Sequence, residues 1–418
     1  MGLVVKLWLT GVIILVHSAR EFINHDEIME TMEWADANRN NAELIAEVMG
    51  KADEMKGINH REAALLLVSG EAAELFALAS RIKQKLYGNR VVLFAPLYLS
   101  NYCINGCVYC SYKTSNADMP RKRLSQDEIC REVAALTAMG HTRIAIEAGE
   151  HPGNSIDYIM ESIDTIYISG DIRRINVNIA ATTVENYRKL KSANIGTYVL
   201  FQETYHEPTY TKVHPSGPKA DYKWHTEAMD RAMQGGIDDV GIGVLFGLAD
   251  YRYEFIALLM HSAHLEAAYG AGPHTISLPR LRNSNIHDDV FAKIVAAMRI
   301  AVPYTGIIIS TRESEDMRQR LLDAGVTQIS GGSCTSVGGY AHGGNSRQFE
   351  ISDSRSLRQI VDWLMKHGHT PSFCTACYSE GRTGADFMDM CKSGLIQKHC
   401  EHNAKITLQE YLAKERVS

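Results

Sequence analysis

Three cysteines within eight residues, Cys103-Ile104-Asn105-Gly106-Cys107-Val108-Tyr109-Cys110, concentrate the metal-binding chemistry of this chain. The C-x3-C-x2-C spacing puts three soft thiolates on one tight loop. They can hold three irons of a 4Fe–4S cube and leave the fourth iron without a protein ligand. An open iron has no use in a pure electron carrier, but it lets an enzyme bind a substrate or cofactor there. The alternative is a zinc knuckle. Zinc usually closes its tetrahedron with a fourth Cys or His, and no such residue lies within a few positions.

A second group is Cys374-Thr375-Ala376-Cys377, followed by Cys400. It allows another cube with one open iron, or a structural zinc completed by His399 or His402. Cys391 lies between them and offers a different third ligand or a fourth. Cys130, on an amphipathic segment, reads as a packed thiol. Nine cysteines are too few for a disulfide scaffold, and their odd number leaves one unpaired. Six of them fall in the two groups, which favours reduced thiolates and a reducing, cytoplasmic compartment.

These loops need a scaffold, and the rest of the chain supplies its pattern. With 418 residues, 45% hydrophobic and 22% charged, the composition is that of an ordinary globular protein. The net charge of −6 and the absence of a long basic run speak against nucleic acid as a partner. The apolar run 7–16 resembles a signal-peptide core and is too short to cross a bilayer comfortably. An upstream start or a buried extension is the simpler reading, and no other segment approaches a membrane span.

Residues 26–90 read as an N-terminal helical segment of three or so helices. Short β-branched runs then alternate with amphipathic helices. Strands are expected at 91–94, 143–147, 174–179, 197–201, 239–244, 274–278, 306–310 and 328–330. Helices are expected at 126–139, 156–166, 184–193, 224–234, 252–269, 288–300 and 315–324, with glycine at several C-termini. Eight strands alternating with helices predict an α/β fold, a closed (β/α)8 TIM barrel over 91–348, with a doubly wound open sheet as the rival. Either fold puts functional groups past strand C-termini. From about Phe349 the rhythm is expected to stop, leaving 349–418 as a C-terminal auxiliary cluster domain.

The cysteine loop directly after the first strand resembles the radical S-adenosylmethionine (SAM) superfamily. The resemblance implies that the amino and carboxylate groups of SAM chelate the open iron. An electron from the cluster then releases a 5′-deoxyadenosyl radical. It implies that Tyr109 lies near the adenine. Ala148-Gly149-Glu150, after the second strand, looks like the motif that holds the SAM amino group; taken alone it is an ordinary turn. Glu203, ending the fourth strand, would face the same mouth as a catalytic candidate. Arg231 is a candidate for the SAM carboxylate, or simply a solvated helix arginine.

Longer stretches resemble one branch of the superfamily, the tyrosine-lyase maturases of FeFe hydrogenase, related to the thiazole-pathway 2-iminoacetate synthases. They include Val92-Leu93-Phe94-Ala95-Pro96-Leu97-Tyr98, Ala148-Gly149-Glu150-His151-Pro152, Phe201-Gln202-Glu203-Thr204-Tyr205-His206 and Pro371-Ser372-Phe373-Cys374-Thr375-Ala376-Cys377. The resemblance implies cleavage of the Cα–Cβ bond of L-tyrosine to p-cresol and dehydroglycine. Carbon monoxide and cyanide then form at a second 4Fe–4S cluster carrying an additional labile iron. Cys103, Cys107 and Cys110 would bind the first cluster, and Cys374, Cys377 and Cys400 the second. His274 would touch the extra iron, and Arg312 would hold the tyrosine carboxylate. A reducing electron donor and other hydrogenase maturation proteins would be its partners.

Three departures stand out. The loop after Pro279-Arg280-Leu281-Arg282 is short, Cys334 stands where a basic residue is expected, and Cys391 where a small one is. The first two leave open a related radical SAM lyase with another amino-acid substrate. A non-catalytic Fe–S carrier is the reading from a different class; it would need a fully ligated cluster and no SAM pocket.

Overall fold

A computed structural model describes residues 18–415. The apolar run 7–16 lies outside the described residues. The helices His25–Asn38, Ala42–Asp53, His60–Val68 and Ala72–Tyr87 form the N-terminal segment. Asn24, Asn41 and Asn59 cap the first three, each accepting a backbone N–H of the first turn. The fourth buries Leu75, Leu78, Ala79, Ile82 and Leu86 along one face, packed against the helix Asp288–Ala301. That helix is therefore covered on both sides, and Phe291 through Ala301 are buried except Lys293.

The barrel strands are β1 (Arg90–Ser100), β2 (Arg143–Ala148), β3 (Arg174–Asn178), β4 (Tyr198–Val199), β5 (Val240–Gly243), β6 (Thr275–Ser277), β7 (Gly306–Ile309) and β8 (Gln328–Ser330). All pair in parallel with their sequence neighbours, and β1 pairs with both β2 and β8. The sheet therefore closes, as expected of the barrel, and the open-sheet rival falls. The expected helices are present with shifted ends. The one expected at 224–234 is broken at Glu227 into Tyr222–Thr226 and Ala228–Gln234.

The alternation continues past Phe349. Ser356 and Gln359 form a capping box that starts the helix Leu357–Lys366, which leads into β9 (Thr370–Ser372). β9 pairs with residues 90–92 of β1, below the stretches that meet β8 and β2. Sequence reading misses this strand because it is three residues long and contains Pro371. An edge strand tolerates proline, since it has one side without ladder bonds. β9 and the helix Leu395–Glu415 packed on it carry the second cysteine group to the N-terminal end of the barrel.

Candidate active site

The loop leaving β1 is held by its backbone before any metal binds. Arg121 donates from Nη1 to the carbonyls of Asn101 (2.7 Å) and Tyr112 (2.8 Å). The N–H groups of Ile104, Gly106 and Val108 donate to the carbonyls of Glu150, Ser216 and Val213 at 2.8 to 3.0 Å. Cys103, Cys107 and Cys110 all line one cavity at the C-terminal mouth of the barrel. Burial pushes the Cys107 thiol up to about 11 and raises that of Cys110. Buried thiolates are favoured only where cations offset their charge, so this donor set fits an iron cluster. Among the described residues no three His, Cys, Asp or Glu side chains converge on a single-ion centre. Cysteines around a four-iron cube each meet a different iron.

The end of β2 passes directly beneath this loop. A Cβ on Gly149 would lie 2.5 Å from the Tyr102 carbonyl oxygen and 3.0 Å from Cys103 Cβ, so the crossing requires glycine. Next to it, Asn105 Nδ2 donates to Glu150 Oε2 (2.7 Å), joining the cysteine loop to the carboxylate. The buried Tyr109 hydroxyl meets His214 Nε2 at 2.9 Å, and Lys219 Nζ lies 5.9 Å from its ring centre. Glu203, a non-glycine residue with φ +68°, pairs with Lys219 Nζ at 3.1 Å. Sequence reading had no signal for Lys219 beyond its place in a loop after β4.

Arg231 is not brought into the cavity. Its Nε donates to the Thr182 carbonyl (3.0 Å), its Nη2 to that of Trp224, and its guanidinium lies 3.7 Å from the Trp224 ring centre. The arginine therefore ties a helix to the loop after β3. This corrects the expectation that it faces the SAM carboxylate.

Arg312 does reach the cavity. It stacks on Phe349 at 3.7 Å, and among the described residues no ion pair or hydrogen bond holds its guanidinium. Burial lowers its pKa, so an incoming carboxylate would restore a favourable environment. Glu147, missed in the sequence, also lines the cavity and accepts from Asn178 Nδ2 at 2.8 Å. Its inward direction follows from strand register, which the sequence alone does not give. Tyr98, the register partner of Glu147 on β1, donates from Oη to Gln348 Oε1 at 2.8 Å.

The departures near the substrate have local explanations. Ser333 and Thr335 line the cavity, whereas the Cys334 sulfur packs towards Gly339 and its N–H donates to Tyr340 Oη. The short loop after Arg282 is held by Arg280, which pairs with Glu313 (2.6 Å) and Asp288 (2.8 Å).

A second cavity opens at the other end of the barrel, lined by Cys374, Cys377, Cys400, His274, Arg90 and Arg143, among others. Arg143 Nη2 donates to the Cys374 carbonyl (2.9 Å). Hydrogen bonding to Cys400, with the Arg382 and Arg90 guanidiniums, draws Cys377 towards thiolate, while the same contact and burial keep the Cys400 thiol protonated. His274 Nδ1 lies 3.3 Å from Asp239 Oδ1, and Asp239 also accepts the Gly384 N–H (2.9 Å). Three sulfurs, an imidazole and flanking cations again fit an iron–sulfur cluster. His399 and His402 are exposed on the helix that buries Cys400, so they do not complete a zinc site. Cys391 packs with Ala271, Phe387, Met388 and Ile396 in an apolar cluster, where burial pushes its thiol up to about 12.

A parallel barrel with three thiolates over its mouth and a Gly-Glu turn beside them defines a radical SAM enzyme. Residues 97–259 match the model of the radical SAM superfamily, and 277–370 match the biotin and thiamin synthesis associated domain. A crystal structure of HydG, a maturase of FeFe hydrogenase, is 52% identical with a TM-score of 0.91, covering 94% of this chain and 90% of that one. HydG from Carboxydothermus hydrogenoformans is 40% identical with a TM-score of 0.85, over 96% and 91%. The 2-iminoacetate synthase of Escherichia coli K12 is 32% identical over 72% of this chain and 82% of its own length. The chain belongs to the radical SAM family of the HydG maturases and 2-iminoacetate synthases.

Proposed function

We propose that this chain cleaves the Cα–Cβ bond of L-tyrosine to p-cresol and dehydroglycine, and converts the second product to carbon monoxide and cyanide for FeFe-hydrogenase assembly. The observation that carries this reading is the placement of two cysteine triads at opposite ends of one barrel, with Arg312 at the upper one and His274 at the lower.

Cys103, Cys107 and Cys110 would hold a 4Fe–4S cluster, which with SAM supplies a carbon radical able to remove one hydrogen atom. Glu150 and the Gly149 backbone would hold the SAM amino group, and Tyr109 would flank its adenine. Arg312 clamps the substrate carboxylate, and the stack on Phe349 fixes the plane of the guanidinium. The reacting atoms would lie within the cavity that the barrel strands line, where bound SAM and substrate would displace water. Below, Cys374, Cys377 and Cys400 would hold an auxiliary cluster. Asp239 orients the His274 ring, whose other nitrogen would hold an additional labile iron destined for the hydrogenase.

The domain reading has 26–90 as a helical buttress, 91–348 as the barrel and 349–418 as the auxiliary unit. A reducing, cytoplasmic compartment, a low-potential electron donor and other maturation proteins complete the proposal. No helix among the described residues is long and apolar enough to cross a membrane.

Anaerobic incubation of the reconstituted protein with SAM, a reductant and tyrosine should yield 5′-deoxyadenosine and p-cresol. Deoxyadenosine without p-cresol would favour a lyase for another amino acid. Neither product would remove the enzymatic reading.

A further inference from the structure

The upper cavity holds a carboxyl group that neither the cluster loop nor Arg312 uses. Tyr98, Glu147 and Asn178 are register partners on β1, β2 and β3, so their side chains form one inward layer of the barrel. Glu147 Oε2 accepts the 2.8 Å bond from Asn178, and among the described residues no cation pairs with this carboxyl. Arg312 lines the same cavity, and the Tyr98 hydroxyl feels both the Glu147 and Arg312 charges. A carboxyl and a guanidinium facing one cavity are complementary to the two charged ends of an amino acid. The carboxylate end belongs on Arg312 and the ammonium end on Glu147.

The chemistry needs more than a counter-ion. Dehydroglycine is an imine, so the Cα–Cβ bond breaks by β-scission of a radical on the amino nitrogen, and the hydrogen atom comes from that nitrogen. At neutral pH the nitrogen is an ammonium without a lone pair, and removing a hydrogen atom from it would leave a cation radical. The neutral amine must come first. We propose that Glu147 is the general base that takes one proton from the ammonium of the bound amino acid before hydrogen abstraction. One N–H bond breaks and its electron pair stays on nitrogen, while one O–H bond forms on Glu147. The proton leaves to solvent when the cavity opens to release product.

The environment suits the task. Burial, with Glu203 nearby, raises the Glu147 pKa to about 8, which makes its carboxylate a stronger base than an exposed one; the incoming ammonium favours the ionised form, and the fraction ready to take a proton grows between pH 7 and 8. The titratable groups around it are Tyr98 from β1, Tyr112 from the cysteine loop, Glu203 after β4 and Arg312 after β7. Variants at position 147 keep all four, so a changed pH profile isolates Glu147.

This inference rests on the amino-acid lyase reading. The test is the pH dependence of kcat/KM for p-cresol formation by reconstituted Glu147→Gln and Glu147→Asp, with SAM binding and the cluster EPR signal as controls. Glu147→Gln should lose about 100-fold or more at pH 7. It should then recover close to tenfold per pH unit as the amine loses its proton in solution. Glu147→Asp should keep the wild-type profile at a lower rate, and it carries the test if the glutamine variant does not fold. A glutamine variant with the wild-type rate, or a uniformly slower one with the wild-type profile, overturns the proposal. Wild-type protein that makes deoxyadenosine but no p-cresol at any pH overturns the tyrosine reading, and this inference falls with it.

Discussion

The two ends of the barrel hold cysteine triads by different means. The upper triad is contiguous: all three cysteines lie within eight residues, shaped by the nearby Arg121 and tied by three backbone N–H groups to Glu150, Val213 and Ser216. The lower site is assembled from distant pieces. Cys374 and Cys377 follow the edge strand β9, Cys400 comes from the last helix, and His274 sits at the base of β6. One segment carries all the upper cysteines, so their spacing survives small shifts of its supports, whereas the lower set comes together only while β9 and the C-terminal helix stay docked.

The sharpest way to break this comparison is to remove the upper triad. Cys107→Ala should abolish both deoxyadenosine and p-cresol and lower the iron content from about eight to about four per chain. Next, replacing Cys374 and Cys377 together by alanine should abolish carbon monoxide while p-cresol formation persists, read by product analysis of the same incubation. Loss of both products would mean that the two sites do not work separately.

A smaller effect is expected at the substrate anchor. Arg312→Lys keeps the charge but loses the forked geometry, so it should raise KM for tyrosine roughly 10- to 100-fold, the value of a charged hydrogen bond. SAM binding by the variant should be unchanged.

The smallest effect concerns the buttress that both ends share. Lys83 is buried between the N-terminal helices and the barrel, donates to the Leu322 carbonyl (2.6 Å), and is pulled down to about 7 by desolvation. The unfolded chain holds this proton up to about pH 10.4. Stability should therefore rise with pH between about 7 and 10, where the unfolded state binds more protons. Lys83→Met should flatten this dependence in thermal melts at pH 7 and 9, without separating the two sites.

Much of this was legible in the chain. Cysteine spacing marked the upper triad and the Cys374–Cys377 pair, with Cys391 and Cys400 both open as its third member, and hydrophobic periodicity marked the eight barrel strands. Each signal is carried by residues close together in sequence. Lys219 and Glu147 escaped because a lone charged residue in a loop or strand looks the same whether it faces solvent or the barrel interior. Arg231 misled for the same reason: its position near β5 was right, but its guanidinium is taken by two backbone carbonyls. His399 and His402 were plausible zinc ligands by spacing, yet they are exposed on a helix that turns Cys400 inward.

The upper thiolate loop, the Cys374–Cys377 pair and the order of strands and helices could be read from the chain alone, because bonding geometry and burial periodicity act over a few residues. Which charges share a cavity, whether Cys391 or Cys400 lies with the lower pair and where Arg231 places its hydrogen bonds came from the three-dimensional fold alone. Those choices depend on ring closure and strand register, which bring together groups dozens to hundreds of residues apart.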